Sequence, residues 1–156
     1  HSRNDAIAFC ERVKAQRPEI SLGADFITGF PTESDDAFAN TLALVDDCGL
    51  SFLHVFPYSM RSGTPAARMP QVPIEVRRQR ARRLRAKGQA ALDTYLAAQV
   101  GARSRVLVEE NRADEAVARA DDYASVRIEG VAPVGAVLPV RFVGVEPGRL
   151  IARANA

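Results

Sequence analysis

Two stretches of the sequence, residues 23–38 (GADFITGFPTESDDAF) and residues 52–67 (FLHVFPYSMRSGTPAA), decide the fold. Each stretch begins as a short apolar run, breaks at Gly or Pro and continues through small and polar residues. Short apolar runs with such boundaries are typical of strands that are buried on both faces. The sequence therefore predicts two buried strands, over residues 20–27 and 52–56, each ending in a polar loop.

Helical patterns surround the two predicted strands. Ser2 or Asn4 is suited to cap a first helix, which ends at Pro18. Thr32 or Ser34 is suited to cap a second helix in the same way. The order of elements is therefore helix, strand, helix, strand.

A third and longer helix is predicted from Pro73 to about Val100, where Gly101 stops it. The order of helices and strands up to this point predicts parallel βα units. Two strands are too few for a parallel sheet, and a closed barrel of eight such units takes about 250 residues. Residues 1–100 are therefore expected to be the last part of a larger α/β domain.

After residue 100 the apolar pattern changes to short runs separated by polar, Gly or Pro positions. Five such runs in about 55 residues predict a small closed or nearly closed β-barrel of the oligonucleotide-binding type. The predicted fold class is thus α/β plus all-β, with domains over residues 1–100 and 101–156. The five predicted strands cover residues 106–108, 116–118, 123–128, 137–143 and 149–152.

The composition indicates a globular protein. Of the 156 residues, 47% are apolar and 26% are charged, which is enough for one sizeable core or two small ones. No apolar run approaches the roughly 18 residues that span a bilayer, and the first residues lack the pattern of a signal peptide. We therefore expect a cytoplasmic protein with no membrane partner. Because the chain begins at His1 without Met, we also expect it to be a segment of a longer product.

Charge is segregated along the chain although the net charge is only +2. Residues 18–60 contain no Lys or Arg, whereas residues 77–87 are rich in Arg and contain no acid. Such a basic run fits either a solvated helix face or a surface that faces a polyanion. The sequence leaves both interpretations open.

The turn after the first predicted strand has the features of a ligand site. Gly29 lets the backbone approach a ligand, and Pro31 fixes the turn. The acids that follow, Glu33, Asp35 and Asp36, argue against a bound phosphate and favour a hydroxyl-rich or cationic ligand. The alternative is an ordinary strand-to-helix turn whose acids only stabilise the helix.

The remaining reactive residue types give weaker signals. His54 lies mid-strand among apolar residues, where a histidine is more often part of a core than a base. Cys10 and Cys48 have no partner at metal-ligand spacing and are expected to be buried, reduced thiols. Arg61, in the loop after the second strand, either binds a carboxylate or is solvated. No Ser-His-Asp spacing, Walker loop or GxGxxG motif occurs, so we assign no catalytic residue.

The two strand-end motifs together resemble a known family. They read DFITGFPTE over residues 25–33 and HVFPYSMRSGTPAA over residues 54–67, and MPQV follows at residues 69–72. With these motifs, nearly the whole chain resembles the C-terminal half of the radical S-adenosylmethionine methylthiotransferases, specifically the tRNA threonylcarbamoyladenosine methylthiotransferases. One departure is Thr32, which stands where the family usually has Gly.

The resemblance implies the last βα units of a TIM-type radical S-adenosylmethionine barrel, followed by a small five-stranded TRAM β-barrel that contacts RNA. It implies that the full-length enzyme methylthiolates N6-threonylcarbamoyladenosine in tRNA, using S-adenosylmethionine and [4Fe–4S] clusters. With only Cys10 and Cys48, this chain is expected to bind neither cluster and to be inactive alone. Its expected partners are tRNA and the N-terminal portion of the same polypeptide.

The resemblance also implies two sets of binding residues. Late barrel strands of such enzymes line the adenosine and methionine parts of S-adenosylmethionine, which assigns that role here to Ile27, Gly29, Glu33, Phe56, Tyr58, Ser59 and Arg61. In the TRAM domain, the residues expected to contact RNA are Arg103, Arg105, Tyr123, Arg127 and Arg141, with Arg149 and Arg153 as further basic residues. The alternative for this second set is a merely soluble barrel surface.

Other interpretations stay open. The chain is either a segment of that enzyme or a stand-alone RNA-binding module. A relative that acts on isopentenylated adenosine in tRNA or on a ribosomal protein shares the same motifs. A parallel sheet without its neighbouring strands exposes an edge and an apolar face, so a strand-paired or domain-swapped dimer is also predicted.

Overall fold

The structure is a computed structural model that describes residues 2–154. It divides into two units, His1–Ala91 and Leu92–Ala156. The division lies within helix α3 (Ile74–Ala98), whereas the predicted domain boundary follows the end of that helix and stays a prediction. The other elements of the first unit are α1 (Arg3–Gln16), β1 (Gly23–Thr28), α2 (Asp35–Asp47), β2 (Phe52–Pro57) and a short 3₁₀ helix (Pro65–Arg68).

Ser2 and Ser34 cap the first two helices. Each is one of the two residues that the sequence offers as a cap for its helix. The Ser2 hydroxyl accepts a hydrogen bond from the Asp5 N–H at 3.2 Å, and the Asp5 carboxylate accepts one from the Ser2 N–H at 2.7 Å. The Ser34 hydroxyl accepts a hydrogen bond from the Ala37 N–H at 3.1 Å. These side chains satisfy N–H groups that the first turn of a helix leaves unpaired.

The two strands of the first unit pair in parallel, which confirms the predicted βα units. In this backbone register Asp25 lies opposite His54, and Ile27 lies opposite Phe56. One face of the sheet packs against the helices. Side chains at alternate positions of a strand point to the same side, so every second residue of each strand lies on this face. The buried core on that side comprises Phe38, Val45, Cys48, Leu50, Val55, Ala81 and Leu84, with Ala24 and Phe26 of β1 packed against it.

The other face of this sheet is open to solvent, which corrects two expectations. Ile27 and Phe56 are 59% and 55% exposed, so the strands are not buried on both faces within this chain. His54 is also exposed and is not a core residue. The reason is that the described helices cover one face only. Between residues 2 and 154, no helix is apolar over a length that would cross a bilayer.

The second unit is built on five strands, which confirms the number predicted. They are hydrogen-bonded in the closed order β3-β4-β5-β7-β6, so every strand has a neighbour on both sides. All pairings are antiparallel except that of β5 with β7. The strands are β3 (Arg103–Arg112), β4 (Glu115–Ala120), β5 (Ser125–Glu129), β6 (Val137–Glu146) and β7 (Arg149–Ala154).

Small and β-branched side chains fill the inside of this barrel. Val106, Val126, Val140 and Leu150 each have no exposed surface. One strand begins later than predicted, because Tyr123 lies in the turn before β5 with a φ of 67°. A left-handed φ interrupts an extended strand, so pairing resumes only at Ser125.

Candidate functional site

A cavity of about 470 Å³ lies where β1 and β2 end. The carboxyl ends of parallel strands are the usual position of ligand sites in α/β proteins. The cavity is open to solvent on one side and mostly apolar. Its lining residues are Ile27, Phe30, Phe56, Pro57, Tyr58, Ser59, Arg61, Thr64 and Ala66.

The structure brings together five of the seven residues expected to contact S-adenosylmethionine. These five line the cavity, whereas Gly29 and Glu33 do not. The expected set did not include the four other lining residues, which all belong to the same two motifs: Phe30, Pro57, Thr64 and Ala66. Their position beside predicted lining residues was the signal that would have found them.

Aromatic rings form one side of the cavity. The rings of Phe30 and Tyr58 meet edge to face, with centroids 5.4 Å apart and planes at 75°. The Tyr58 hydroxyl is buried and has no hydrogen-bond partner among the described residues. Because a buried hydroxyl without a partner is costly, this group is suited to bond a ligand or an ordered water molecule. Arg61 is exposed at the same cavity and supplies positive charge.

Glu33 does not line the cavity, and its carboxylate already accepts two hydrogen bonds. Its Oε2 accepts hydrogen bonds from the Gly29 N–H at 2.8 Å and from Nη1 of Arg80 at 2.6 Å. The side chain is only 11% exposed. This carboxylate therefore closes the turn from Gly29 to Glu33.

Two residues of that turn have left-handed backbone angles. Gly29 has a φ of 70°, and a Cβ at this position would lie 2.4 Å from Cγ of Arg77. The close approach that glycine permits here is thus to the helix α3 and not to the cavity. Thr32 has a φ of 71°, at the position where the resembled family has Gly. A β-branched residue is strained in this conformation.

Arg80 is a buried cation that holds the same turn from α3. It is 6% exposed, and its Nη2 donates to Oδ1 of Asp35 at 2.7 Å. Burial lowers the pKa of the Arg80 guanidinium, but the hydrogen bonds to Asp35 and Glu33 outweigh burial and raise this pKa above its usual value. The guanidinium also lies 5.5 Å from the ring centroid of Phe38.

Other basic residues of α3 are likewise paired within the first unit. Nη2 of Arg85 donates to the Val55 carbonyl at 2.8 Å, and Nζ of Lys87 lies 2.6 Å from Oδ2 of Asp46. The basic run of the sequence is therefore neither simply a solvated face nor simply a polyanion surface. Part of it holds the strands and turns of its own unit in place.

Of the two cysteines expected to be buried, Cys48 lies in the core of the first unit, whereas Cys10 is only partly buried, which corrects the expectation for Cys10. Cys10 packs against the cluster that contains Cys48. Burial and the neighbouring Cys10 thiol raise the pKa of Cys48 to about 11. Within residues 2–154, no group of three or more His, Cys, Asp or Glu side chains is placed to hold a metal ion.

Three arginines lie side by side on the outer surface of the barrel. Arg103 of β3 is in register with Arg141 of β6, which is in register with Arg153 of β7. All three are exposed, and they take part in none of the ion pairs found between residues 2 and 154. We call them the arginine row. Like charges directly opposite one another destabilise a sheet, and an anionic ligand would relieve that repulsion.

The other residues expected to contact RNA are placed differently. Tyr123 is 78% exposed in the turn between β4 and β5. Asp121 of the same turn lies 3.5 Å from Arg105, which places this turn beside the beginning of β3. Arg127 belongs instead to a network of ion pairs with Arg149, Glu115 and Glu146. The carboxylates of that network neutralise Arg127 and Arg149.

Comparison with known proteins connects both units to one group of enzymes. No protein-family model matches the chain. A threonylcarbamoyladenosine tRNA methylthiotransferase (MtaB) of Rickettsia prowazekii is 41% identical over 148 residues, which are 95% of this chain and 34% of that protein. The chain is homologous to a segment of the tRNA methylthiotransferases. This finding confirms the resemblance that the two motifs predict.

Two further relatives are named tRNA-2-methylthio-N(6)-dimethylallyladenosine synthases. The one of Novosphingobium aromaticivorans is 36% identical over 98% of this chain, and the one of Zymomonas mobilis is 34% identical over 94%. In both, the match covers about a third of the relative, 35% and 34%. The chain thus spans about a third of the length of the curated relatives that it matches.

Proposed function

We propose that the full-length protein carrying this chain is a radical S-adenosylmethionine enzyme that adds a methylthio group to N6-threonylcarbamoyladenosine in tRNA. The cavity at the ends of β1 and β2 carries this proposal, because five of the residues expected at a S-adenosylmethionine site line it. The relative named for threonylcarbamoyladenosine is 41% identical, against 36% and 34% for the two named for dimethylallyladenosine. This difference favours the first nucleoside as the substrate.

The cavity suits S-adenosylmethionine in size and chemistry. Sites for small molecules measure about 300–1,000 Å³ and are mostly apolar with a few polar groups. Ile27 and Phe56 offer apolar surface to a purine ring, and Arg61 offers a guanidinium to a carboxylate. When bound, S-adenosylmethionine would supply the methyl group and the 5′-deoxyadenosyl radical. The residues of this chain would bind and orient it.

The iron–sulfur clusters of the proposed enzyme do not fit this chain. Cys48 is buried in the core of the first unit, Cys10 packs against that core, and neither lines the cavity. We therefore propose that the N-terminal portion of the polypeptide supplies the cluster ligands and that the chain alone is inactive. In the same proposal, β1 and β2 belong to a radical S-adenosylmethionine barrel, the second unit is a TRAM domain, and the enzyme works in the cytoplasm.

Modified nucleosides in tRNA test the proposal directly. Deleting the gene should remove 2-methylthio-N6-threonylcarbamoyladenosine from tRNA and leave N6-threonylcarbamoyladenosine in its place, as measured by liquid chromatography and mass spectrometry. The full-length gene should restore the methylthio group. Loss of the methylthio group from isopentenylated adenosine would identify the other nucleoside as substrate. An unchanged set of tRNA nucleosides would contradict the proposed function.

The arginine row favours RNA binding as a second function, which the barrel would retain without the radical chemistry. Three exposed arginines on adjacent strands fit contacts to phosphates, and the exposed ring of Tyr123 is suited to stack on an unpaired base. We expect the 156-residue chain to bind tRNA with an affinity that falls steeply with salt. Arg141→Glu should weaken this binding more than Arg112→Glu. Arg112 is also exposed but lies at the other end of β3, where it pairs with Glu110.

Equal effects of the two substitutions would exclude the arginine row as the RNA-binding surface. A binding affinity that does not depend on salt would exclude phosphate contacts altogether. The strand-paired or swapped dimer also stays a proposal. A monomeric mass for the chain by light scattering would contradict it.

A further inference from the structure

Helix α3 contacts both walls of the cavity from outside. The first wall comprises Ile27 and Phe30, from β1 and the turn after it, and the second comprises Phe56, Tyr58 and Ser59, from β2 and the loop after it. Two arginines of α3 reach these walls, although neither lines the cavity. The walls are also joined directly, because the Tyr58 N–H donates to the Thr28 carbonyl at 2.8 Å.

The guanidinium of Arg77 lies 5.6 Å from the ring centroid of Tyr58. Its Nη1 donates to the Tyr58 carbonyl at 3.1 Å, and its Nε donates to the Val72 carbonyl at 2.7 Å. Its Cγ packs so closely on Gly29 that no side chain fits there. Because Gly29 immediately precedes Phe30, a shift of Arg77 would move the backbone of both ring-bearing residues.

The side chain of Arg80 closes the turn that carries the first wall. Its Nη1 donates to the Glu33 carbonyl at 2.8 Å as well as to Oε2 of the same residue. Since Oε2 also accepts from the Gly29 N–H, the contacts run from Arg80 through Glu33 to the backbone beside Phe30. Arg80 thus contacts the turn directly at its end and, through the Glu33 carboxylate, holds its beginning.

We propose that Arg77 and Arg80 are positioning residues that set the affinity of the cavity for S-adenosylmethionine by fixing the backbone of its two walls. This inference rests on the proposed function, since it takes S-adenosylmethionine as the ligand. It gives Glu33 a role through Gly29 and Arg80 that requires no contact with the ligand. It also explains why part of a strongly basic helix is directed into its own unit.

The test uses the full-length protein and measures binding of S-adenosylhomocysteine by calorimetry. Arg77→Lys keeps the positive charge and the aliphatic carbons that pack against Gly29. It loses the planar guanidinium, which donates to the carbonyls of Val72 and Tyr58. We expect its dissociation constant to rise about tenfold, because small displacements of a binding wall are costly. The KM for S-adenosylmethionine should rise similarly while the KM for tRNA stays unchanged. A merely structural role would instead lower the melting temperature and the active fraction without this selectivity.

Two further variants keep the test decisive. Arg80→Lys should show the same selective loss, and Arg80→Ala is avoided because it leaves the Glu33 carboxylate without its cation. Arg82→Lys is the matched control, since Arg82 is exposed on the same helix and no hydrogen bond or ion pair between described residues includes it. Unchanged affinity for S-adenosylhomocysteine in both Arg77→Lys and Arg80→Lys would overturn this inference but not the proposed function. Failure of the wild-type protein to bind S-adenosylhomocysteine would overturn the proposed function with it.

Discussion

The two sheets of this molecule differ in whether they are complete. In the barrel every strand is paired on both sides, and side chains such as Val106, Val140 and Leu150 are fully buried inside it. Among residues 2–154, β1 and β2 pair only with each other, so their sheet has two free edges, and its face open to solvent carries Ile27 and Phe56. Parallel sheets are normally covered on both faces. We therefore propose that a ligand lies against the open face and that further barrel strands pair with the free edges.

The largest expected effect is on the closed barrel. Leu150 has no exposed surface inside it, so Leu150→Ala should lower the free energy of unfolding of the barrel by about 4 kcal/mol through lost burial and a cavity. Urea unfolding followed by NMR of barrel amides measures this change. Ile27→Ala is the counterpart on the open sheet and should cost less than about 1 kcal/mol. Equal losses of unfolding free energy in the two variants would contradict the difference in burial between the closed barrel and the open sheet.

A smaller effect is expected from the ion pairs behind the cavity. Arg80→Met should lower the free energy of unfolding of the first unit by about 3 kcal/mol, because it leaves the mostly buried Glu33 carboxylate without its cation. The same urea titration, followed at amides of residues 23–57, measures it. Arg78→Met is the control, since Arg78 pairs with Glu75 at the surface and should change stability little. A cost below about 1 kcal/mol for Arg80→Met would contradict the assigned role.

Alkaline pH should distinguish the two units through Cys48. Its pKa is about 11 in the folded chain against an ordinary value of 9.0, so the folded state binds this proton more tightly. The resulting stability is complete below about pH 9 and is lost as pH rises towards 11, by about 2 kcal/mol. Comparing wild type with Cys48→Ala isolates this dependence from other titrating groups. The barrel contains no cysteine, so a Cys48-dependent loss in its stability would contradict the account.

The smallest expected effect concerns the turn with the left-handed residue Thr32. Thr32→Gly should raise the free energy of unfolding of the first unit by about 1 kcal/mol, because glycine adopts a φ of 71° without strain. Thr32→Ala keeps a Cβ and should give a much smaller gain. Thermal unfolding of the three proteins measures the difference. A gain in the alanine variant as large as in the glycine variant would exclude backbone strain as the cause.

The sequence predicts the local features of this fold well. Apolar runs ending at Gly or Pro located β1 and β2, and Ser2 and Ser34 marked helix starts through side-chain chemistry close in sequence. The strand-end motifs also predicted most of the cavity lining. Each of these features depends on neighbouring residues, or on the rule that parallel strands end at the same edge.

Features that depend on distant partners were not predictable in the same way. The sequence does not tell that Arg80 pairs with Glu33, or that Arg127 is neutralised by Glu115 and Glu146. Exposure of His54 was also missed, because burial of a strand depends on what covers each face. The arginine row became visible only when the register of three strands was known.

Hydrogen exchange of the full-length protein, with and without S-adenosylmethionine, tests whether this ligand binds at the open β1–β2 sheet. We expect the ligand to slow amide exchange in residues 27–33 and 56–61, next to the cavity, and to leave exchange in the barrel over residues 103–154 unchanged. Protection confined to other segments, or no protection in either cavity segment while the ligand is bound, would contradict the assignment of the open β1–β2 sheet to the S-adenosylmethionine site.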